Sequence, residues 1–276
     1  MASTAYYEVR DCLLKVENVC LELGGKQILR DVNVAIHDIV RPGLSQGQVV
    51  ALLGPSGIGK TRLFRILAGL DEPDSGRVSV GKEERTVKRG EVGVVAQNYP
   101  LFRNRTVLGN LVVAGRQAGL SKAEATDKAK KLLADFDLTD HATKYPVLLS
   151  GGQRQRVAIA QQFMCSEHFL LMDEPFSGLD LNAIERVIKM ITNIAASDEQ
   201  KSIIIVTHDI TAALEVADTV WVLGRDRDAS GNVIPGARIQ KSYNLIDLGL
   251  AWRQNITDDP EFVKLMKEIR AIYPTL

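Results

Sequence analysis

An α/β fold is predicted from three observations. Short continuous apolar runs, Val49 to Leu53, Phe169 to Met172 and Ser202 to Val206, are bounded by Gly or charged residues. That is the pattern of strands buried on both faces of a mostly parallel sheet. Helical patterns lie between these runs, and alternation of strand and helix places helices against such a sheet. At the N-terminus the pattern changes: Leu13 to His37 alternates apolar and polar residues, as in antiparallel strands with one wet face.

Taken in order, Leu13 to His37 predicts an N-terminal antiparallel β-subdomain, and His37 to Gln48, with Pro42 and two glycines, a loop. The run Val49 to Leu53 leads directly into a helix over Thr61 to Ala68. Tyr99 to Tyr145 holds helical patterns and no strand, which reads as a helical lobe inserted at about 99–150. Within it, Lys122 to Phe136 places Ala125, Ala129, Leu132, Leu133 and Phe136 at helical spacing, with Ser121 as N-cap. Gln153 to Met164 and Asn182 to Ala195 are further helices. A tail over 224–276 opens on a polar, Gly-rich turn. It continues as a strand at Arg238 to Leu245 and ends in an amphipathic helix near Pro260 to Ile272. The main domain is expected to span 1–223.

Composition bounds the function classes. At 276 residues, with 45% hydrophobic and 25% charged, the chain can bury a substantial core. A formal net charge of zero gives no overall attraction to nucleic acid, and no nucleic-acid partner is expected. Cys12, Cys20 and Cys165 are odd in number and lack metal-ligand spacing, so they read as buried thiols of a reducing compartment. The N-terminus carries Glu8 and Arg10 and no signal-peptide core, and no apolar run approaches the ~20 residues of a membrane-spanning helix. Any membrane role is expected to come through a partner.

The first chemical motif is Gly54-Pro55-Ser56-Gly57-Ile58-Gly59-Lys60-Thr61, a full match to G-x-x-x-x-G-K-[ST] between a strand and a helix. Glycines let successive backbone N–H groups turn inward around phosphate oxygens, and the helix start adds its positive end. Lys60 supplies a charge for the β- and γ-phosphates, and the Thr61 hydroxyl suits Mg²⁺. Arg62, at the head of the same helix, joins the nucleotide-contacting set. The motif predicts a nucleotide-binding loop on a P-loop NTPase core.

The second motif is an apolar strand ending in Asp173-Glu174. Ligands of open α/β sheets lie at the carboxyl ends of strands, so both carboxylates should face the phosphates. Asp173 is then placed to hold Mg²⁺, directly or through water, and Glu174 to polarise the attacking water.

The third motif, Leu149-Ser150-Gly151-Gly152-Gln153-Arg154-Gln155-Arg156, resembles the signature of ABC ATPases. A Gly turn after Ser150 opens a second anion-binding helix start. The family uses it across a head-to-tail dimer, in which each ATP lies between one copy's phosphate loop and the other's signature. Other elements follow in the family's order. Gln97 matches the glutamine that senses Mg²⁺ and water, and Ser177-Gly178-Leu179-Asp180 resembles the loop that crosses the dimer interface. His208, in Val206-Thr207-His208-Asp209, matches the histidine that contacts the γ-phosphate. His37, His141 and His168 have no such context and read as structural. The resemblance runs from about Leu13 to Leu223. One departure is Leu23 before Gly24, where the family usually places an aromatic ring against adenine.

The resemblance implies an ATPase whose catalytic set is Glu174, His208, Gln97 and Lys60. Its nucleotide set comprises residues 54–62 with Ser150, Gly151, Gly152, Gln153 and Asp180, and its Mg²⁺ set Thr61, Gln97 and Asp173. It implies as partners integral-membrane permease subunits, a second copy or related ATPase subunit, and indirectly a solute-binding protein. The chain would then sit peripherally at the cytoplasmic face of the inner membrane. Tyr99-Pro100-Leu101-Phe102 is where the family docks a permease, or equally ordinary core of the helical lobe. Ile246 to Trp252 with Pro260-Glu261-Phe262 resembles the ends of nitrate, sulfonate and taurine importer subunits, though a terminal packing helix explains it equally well. The resulting expectation is an importer ATPase of that type. The alternatives are an exporter or lipid-transport ATPase subunit, or a non-transport ABC ATPase acting on DNA or ribosomes.

Overall fold

The computed structural model describes residues 7–40, 47–96, 98–165, 169–196, 201–253 and 256–276. In chain order the strands and helices are β1 (Glu8–Leu23), β2 (Lys26–Val40), β3 (Gln48–Leu53), α1 (Lys60–Leu67), β4 (Ser75–Val80), β5 (Arg85–Thr86), β6 (Gly93–Val95), α2 (Val107–Gln117), α3 (Lys122–Asp135) and α4 (Gly151–Phe163). They continue as β7 (Phe169–Asp173), α5 (Leu181–Ala196), β8 (Ser202–Thr207), α6 (Ile210–Val216), β9 (Thr219–Arg227), β10 (Val233–Asn244) and α7 (Pro260–Ile272).

The strands form one sheet in the order β5-β4-β1-β2-β10-β9-β3-β8-β7-β6. Its nucleotide-side half, β9-β3-β8-β7-β6, is parallel throughout. The other half pairs antiparallel, β1 with β2 and β4, and β4 with β5. Thus both the mixed α/β class and the antiparallel N-terminal part follow the sequence pattern.

Every residue of β3 and of β8 is buried, as continuous apolar runs require. Alternate β3 residues serve different cores. Val50 and Leu52 pack with Leu63, Phe64 and Ile66 of α1 and with the antiparallel half. Val49 joins α4 and α5 through Ile159 and Ile191, while Ala51 and Leu53 meet the tail through Phe262, Leu265 and Ile269. The central strand is thereby fixed from both faces, which holds the loop that follows it.

The junction of the two halves is narrow, a single ladder pair between Ala237 and Leu29. It is reinforced by polar contacts. Asp226 of β9 pairs with Arg30 of β2, lies 2.8 Å from Arg238 Nε, and accepts from Gln240 Nε2 at 2.9 Å. These partners hold the Asp226 carboxyl below its usual range, the Gln240 hydrogen bond most of all. Gly236 permits the approach: at φ +86° a Cβ there would stand 2.7 Å from both Arg30 and Gln27 side chains.

Several expectations are corrected. The loop from His37 starts later, because pairing of Val40 with Glu8 carries β2 past His37; residues 41–46 lie outside the described residues. The tail strand begins at Val233, and β9 runs through the boundary drawn after Leu223 as far as Arg227. Hairpin pairing between β9 and β10 extends both strands beyond their apolar segments. Cys165 is exposed rather than buried, just past the end of α4, with its thiol 3.4 Å from the Ala114 carbonyl. His168 lies outside the described residues. Among the described residues no helix is long and apolar enough to cross a membrane.

Candidate nucleotide-binding site

Strand register builds the site. Leu53 pairs with Thr207, and Val206 pairs with both Leu52 and Asp173, so β3, β8 and β7 end level. Gly54, His208 and Glu174, each following one of these ends, emerge at the same edge of the sheet. That is the carboxyl edge where open α/β sheets take ligands.

The glycine loop has the geometry that phosphate needs. Gly57 and Gly59 lie at φ +78° and +116°, and Gly59, as N-cap of α1, offers no side chain to the helix start. The N–H groups there are left for an anion. Gly54 is constrained from behind: a Cβ would stand 2.8 Å from the Leu223 carbonyl oxygen and 3.1 Å from Ile58 Cγ2. Lys60 is 7% exposed, and its amine donates to the carbonyls of Gly54 at 2.7 Å and Pro55 at 3.1 Å. Burial pulls its pKa down, while Glu174 and Asp173 oppose that shift. Ser56 and Thr61 face solvent at the loop mouth, and Arg62 points to Asp71 at 3.7 Å.

Opposite the loop, burial raises the Asp173 carboxyl, Glu174 adds to the rise, and Lys60 counters it. Glu174 sits at φ +49°, a left-handed conformation costing a non-glycine residue about 1 kcal/mol or more. Its N–H bonds the Val206 carbonyl at 2.8 Å. Its carboxylate accepts from the Thr207 hydroxyl at 3.2 Å and lies 2.9 Å and 3.0 Å from His208 Nδ1. Glu174 and His208 are therefore one hydrogen-bonded pair. Asp209 caps α6 through the Ala212 N–H at 3.0 Å, which fixes the turn carrying His208.

The signature residues form a separate locus. Ser150 caps α4, receiving the Gln153 N–H at 3.3 Å, while Gln153 Oε1 receives the Ser150 N–H at 2.9 Å. Gly151 and Gly152 are exposed, lack positive φ, and have nothing within 4 Å of an added Cβ. Neither backbone conformation nor packing within the chain demands glycine there. Asp180 caps α5 through the Ala183 N–H at 2.8 Å. A groove of about 1010 Å³ is lined by Ser150, Gly151, Gly152, Gln153 and Asp180, and no phosphate-loop residue lines it.

The structure thus brings Lys60, Asp173, Glu174 and His208 to the loop, and Ser150 to Gln153 with Asp180 to a second place. Gln97 lies outside the described residues. Three residues escaped the sequence reading. Thr207 flanks His208 and was identifiable only by its contact with Glu174. His141 places Nε2 2.8 Å from the Gln153 amide nitrogen, reaching it from the helical lobe. Tyr273 approaches Gly54 from the far end of the chain.

Comparisons with known proteins bear on the family and the fold. The family profile described as ABC transporter matches residues 38–177. The sulfate/thiosulfate import ATP-binding protein CysA of Pectobacterium atrosepticum is 35% identical over 219 residues, which are 77% of this chain and 64% of that protein. CysA 2 of Rhizobium meliloti, with the same described role, is 38% identical over 219 residues, 77% of this chain and 57% of that protein. The chain therefore spans about three fifths of the length of these relatives. Their names carry sulfate and thiosulfate rather than the nitrate, sulfonate and taurine suggested by the tail. Among solved structures, cbiO1 of Clostridium perfringens, described as part of the ABC transporter complex cbiONQ, is 25% identical with a TM-score of 0.72. The match covers 94% of this chain and 100% of that one.

Proposed function

This chain belongs to the ABC transporter family and carries its ATP-binding domain, and from that premise we propose that it hydrolyses MgATP to energise import through a membrane permease. The observation that carries the reading is the common sheet edge at which Lys60 and its loop face the hydrogen-bonded Glu174–His208 pair.

The residues divide the work. Backbone N–H groups of residues 57–61 and the Lys60 amine hold the β- and γ-phosphates, and Arg62 lies at the rim. The donor set fits Mg²⁺: the Thr61 hydroxyl and the Asp173 carboxylate would hold it, with Gln97 as a further ligand, and it would offset phosphate charge. Glu174 accepts the proton of the attacking water, and His208 orients that carboxylate and faces the γ-phosphate. Thr207 donates to Glu174 and fixes its rotamer. A single copy keeps Ser150, Gly151 and Gly152 away from its own loop, so closure requires a second copy or a related subunit, head to tail. Asp180 then lies along that interface. The empty space around Gly151 and Gly152 supports this, since close approach of a partner gives those glycines a reason.

Import is favoured over export by the described roles of the relatives. Cargo selection belongs to the permease and to a solute-binding protein behind it. The tail similarity and the relatives' names differ in detail but share oxyanion cargo, and an oxyanion importer is the substrate class proposed. The chain would be held at the cytoplasmic face by its permease.

The test has two parts. Phosphate release per chain should rise with chain concentration and vanish in Lys60→Ala; a rate independent of concentration would sink the two-copy site. Purification of the tagged chain from native membranes should recover a multi-pass permease. Recovery with ribosomes or nucleic acid would keep the ATPase and remove the transport reading.

A further inference from the structure

The turn that opens α4 is held by a residue outside it. Four N–H groups begin a helix without an intrahelical partner, and in α4 they belong to Ser150, Gly151, Gly152 and Gln153. The capping box takes the outer two. Gln153 Oε1 accepts from the Ser150 N–H at 2.9 Å, and Ser150 Oγ accepts from the Gln153 N–H at 3.3 Å. The N–H groups of Gly151 and Gly152 remain as the donors an anion would meet. Which N–H groups stay open therefore depends on where the Gln153 carboxamide points.

His141 fixes that direction. Its Nε2 lies 2.8 Å from Gln153 Nε2. The polarity of this contact follows from chemistry. The Ser150 N–H can only donate, so the amide oxygen must face it and the amide nitrogen must face the ring. The ring nitrogen there has to accept, which puts the ring proton on Nδ1. Nδ1 is buried and has no hydrogen bond, so the contact with Gln153 is the only one the ring makes among the described residues. The ring stands on a stiff support. The His141 N–H closes a turn on the Leu138 carbonyl at 2.9 Å, and Leu138 is fully buried. The carbonyls of Ala142 and Lys144 accept from the Leu108 and Val107 N–H groups at 2.9 Å and 2.8 Å, which pins the segment to the start of α2. The carboxamide is thus gripped from two sides, by its own cap and by a ring of the helical lobe.

We propose that His141 is a positioning residue of the shared nucleotide site: by accepting from the Gln153 carboxamide it holds the turn in the form that leaves the Gly151 and Gly152 N–H groups to the partner copy's phosphate. The inference rests on the two-copy reading above. Three variants of the full chain test it. His141→Leu removes the acceptor at similar size. His141→Gln carries an oxygen to about the place of Nε2, and His141→Asn only to that of Nδ1. Phosphate release per chain is measured at saturating MgATP and high chain concentration, beside nucleotide-free Tm and MgATP binding at low chain concentration. The leucine and asparagine variants should turn over roughly two- to tenfold more slowly, the size of one neutral hydrogen bond, and the glutamine variant should recover most of the rate. MgATP binding to the single chain should be unchanged in all three, because the phosphate loop lies elsewhere. Normal turnover in His141→Leu, or equal turnover in the glutamine and asparagine variants, would overturn the inference. Turnover that merely tracked Tm, or weaker MgATP binding by the single chain, would overturn it too and leave His141 a residue of the fold. Wild-type turnover per chain independent of concentration would overturn the two-copy reading itself, and this inference with it.

Discussion

Gly152→Ala separates a residue kept for a partner from one kept for the chain's own fold. Gly152 lies in the first turn of α4, exposed, with no positive φ and nothing within 4 Å of an added Cβ. Alanine in a helix is favoured over glycine by about 0.5–1 kcal/mol, less at an end. A gain near 0.5 kcal/mol corresponds to a Tm increase of about 1–2 °C in a chain of roughly this size. Turnover should move the opposite way. If the partner's phosphates approach this turn closely, a methyl group displaces them by a fraction of an ångström to an ångström. Misplacement on that scale costs on the order of 10²-fold in rate. Scanning fluorimetry without nucleotide gives the first quantity, and phosphate release at saturating MgATP and high chain concentration gives the second. A fall in Tm would show that glycine serves the fold. Normal turnover would refute the shared site at this turn.

Gly54→Ala is the complementary case. Its Cβ would meet a backbone oxygen at 2.8 Å, which no side-chain rotation relieves. Overpacking of this kind costs about 1–3 kcal/mol, so nucleotide-free Tm should drop by several degrees; an unchanged Tm contradicts the close approach. Glu174→Gln keeps the shape of the carboxylate beside His208 and removes its charge. Single-turnover hydrolysis should fall about 10²–10⁴-fold with MgATP binding retained, as measured by filter binding, and rapid hydrolysis would exclude Glu174 as the base. The Asp226 carboxyl is held below its usual range in the folded chain, chiefly by Gln240 and then by Arg30. The unfolded chain therefore binds the proton more readily. The stability Asp226 contributes is complete above roughly pH 4 and lost as pH falls through its lowered folded value. Acid unfolding should show wild type more stable than Asp226→Asn at neutral pH, the two converging in strong acid; a constant gap would contradict the assignment.

The stretch around α3 shows why much of the fold was readable. Ser121 caps it, and Ala125, Ala129 and Leu133 are buried, because helix start and buried face both depend on residues within a few positions of one another. The same holds for the phosphate loop and for Asp173-Glu174, whose residues act from one turn or strand end. β9 and β2 were harder. Their ends depend on pairing with β10 and β1, and a pairing partner's register is not encoded locally.

The sequence by itself determined the chemistry at each strand end and helix start: a cradle of glycines with Lys60, two carboxylates, and a glycine turn after Ser150. Only the tertiary structure decided which of these share a site. Register across β3, β8 and β7 sets Glu174 beside His208 and both near the loop, while Ser150 faces a separate groove. It also packed Tyr273 against the core around Leu53, as the tail folds back over β9. The physical reason is range: turns and caps are satisfied by near neighbours, whereas proximity of distant side chains is set by how buried faces stack, which no local pattern records.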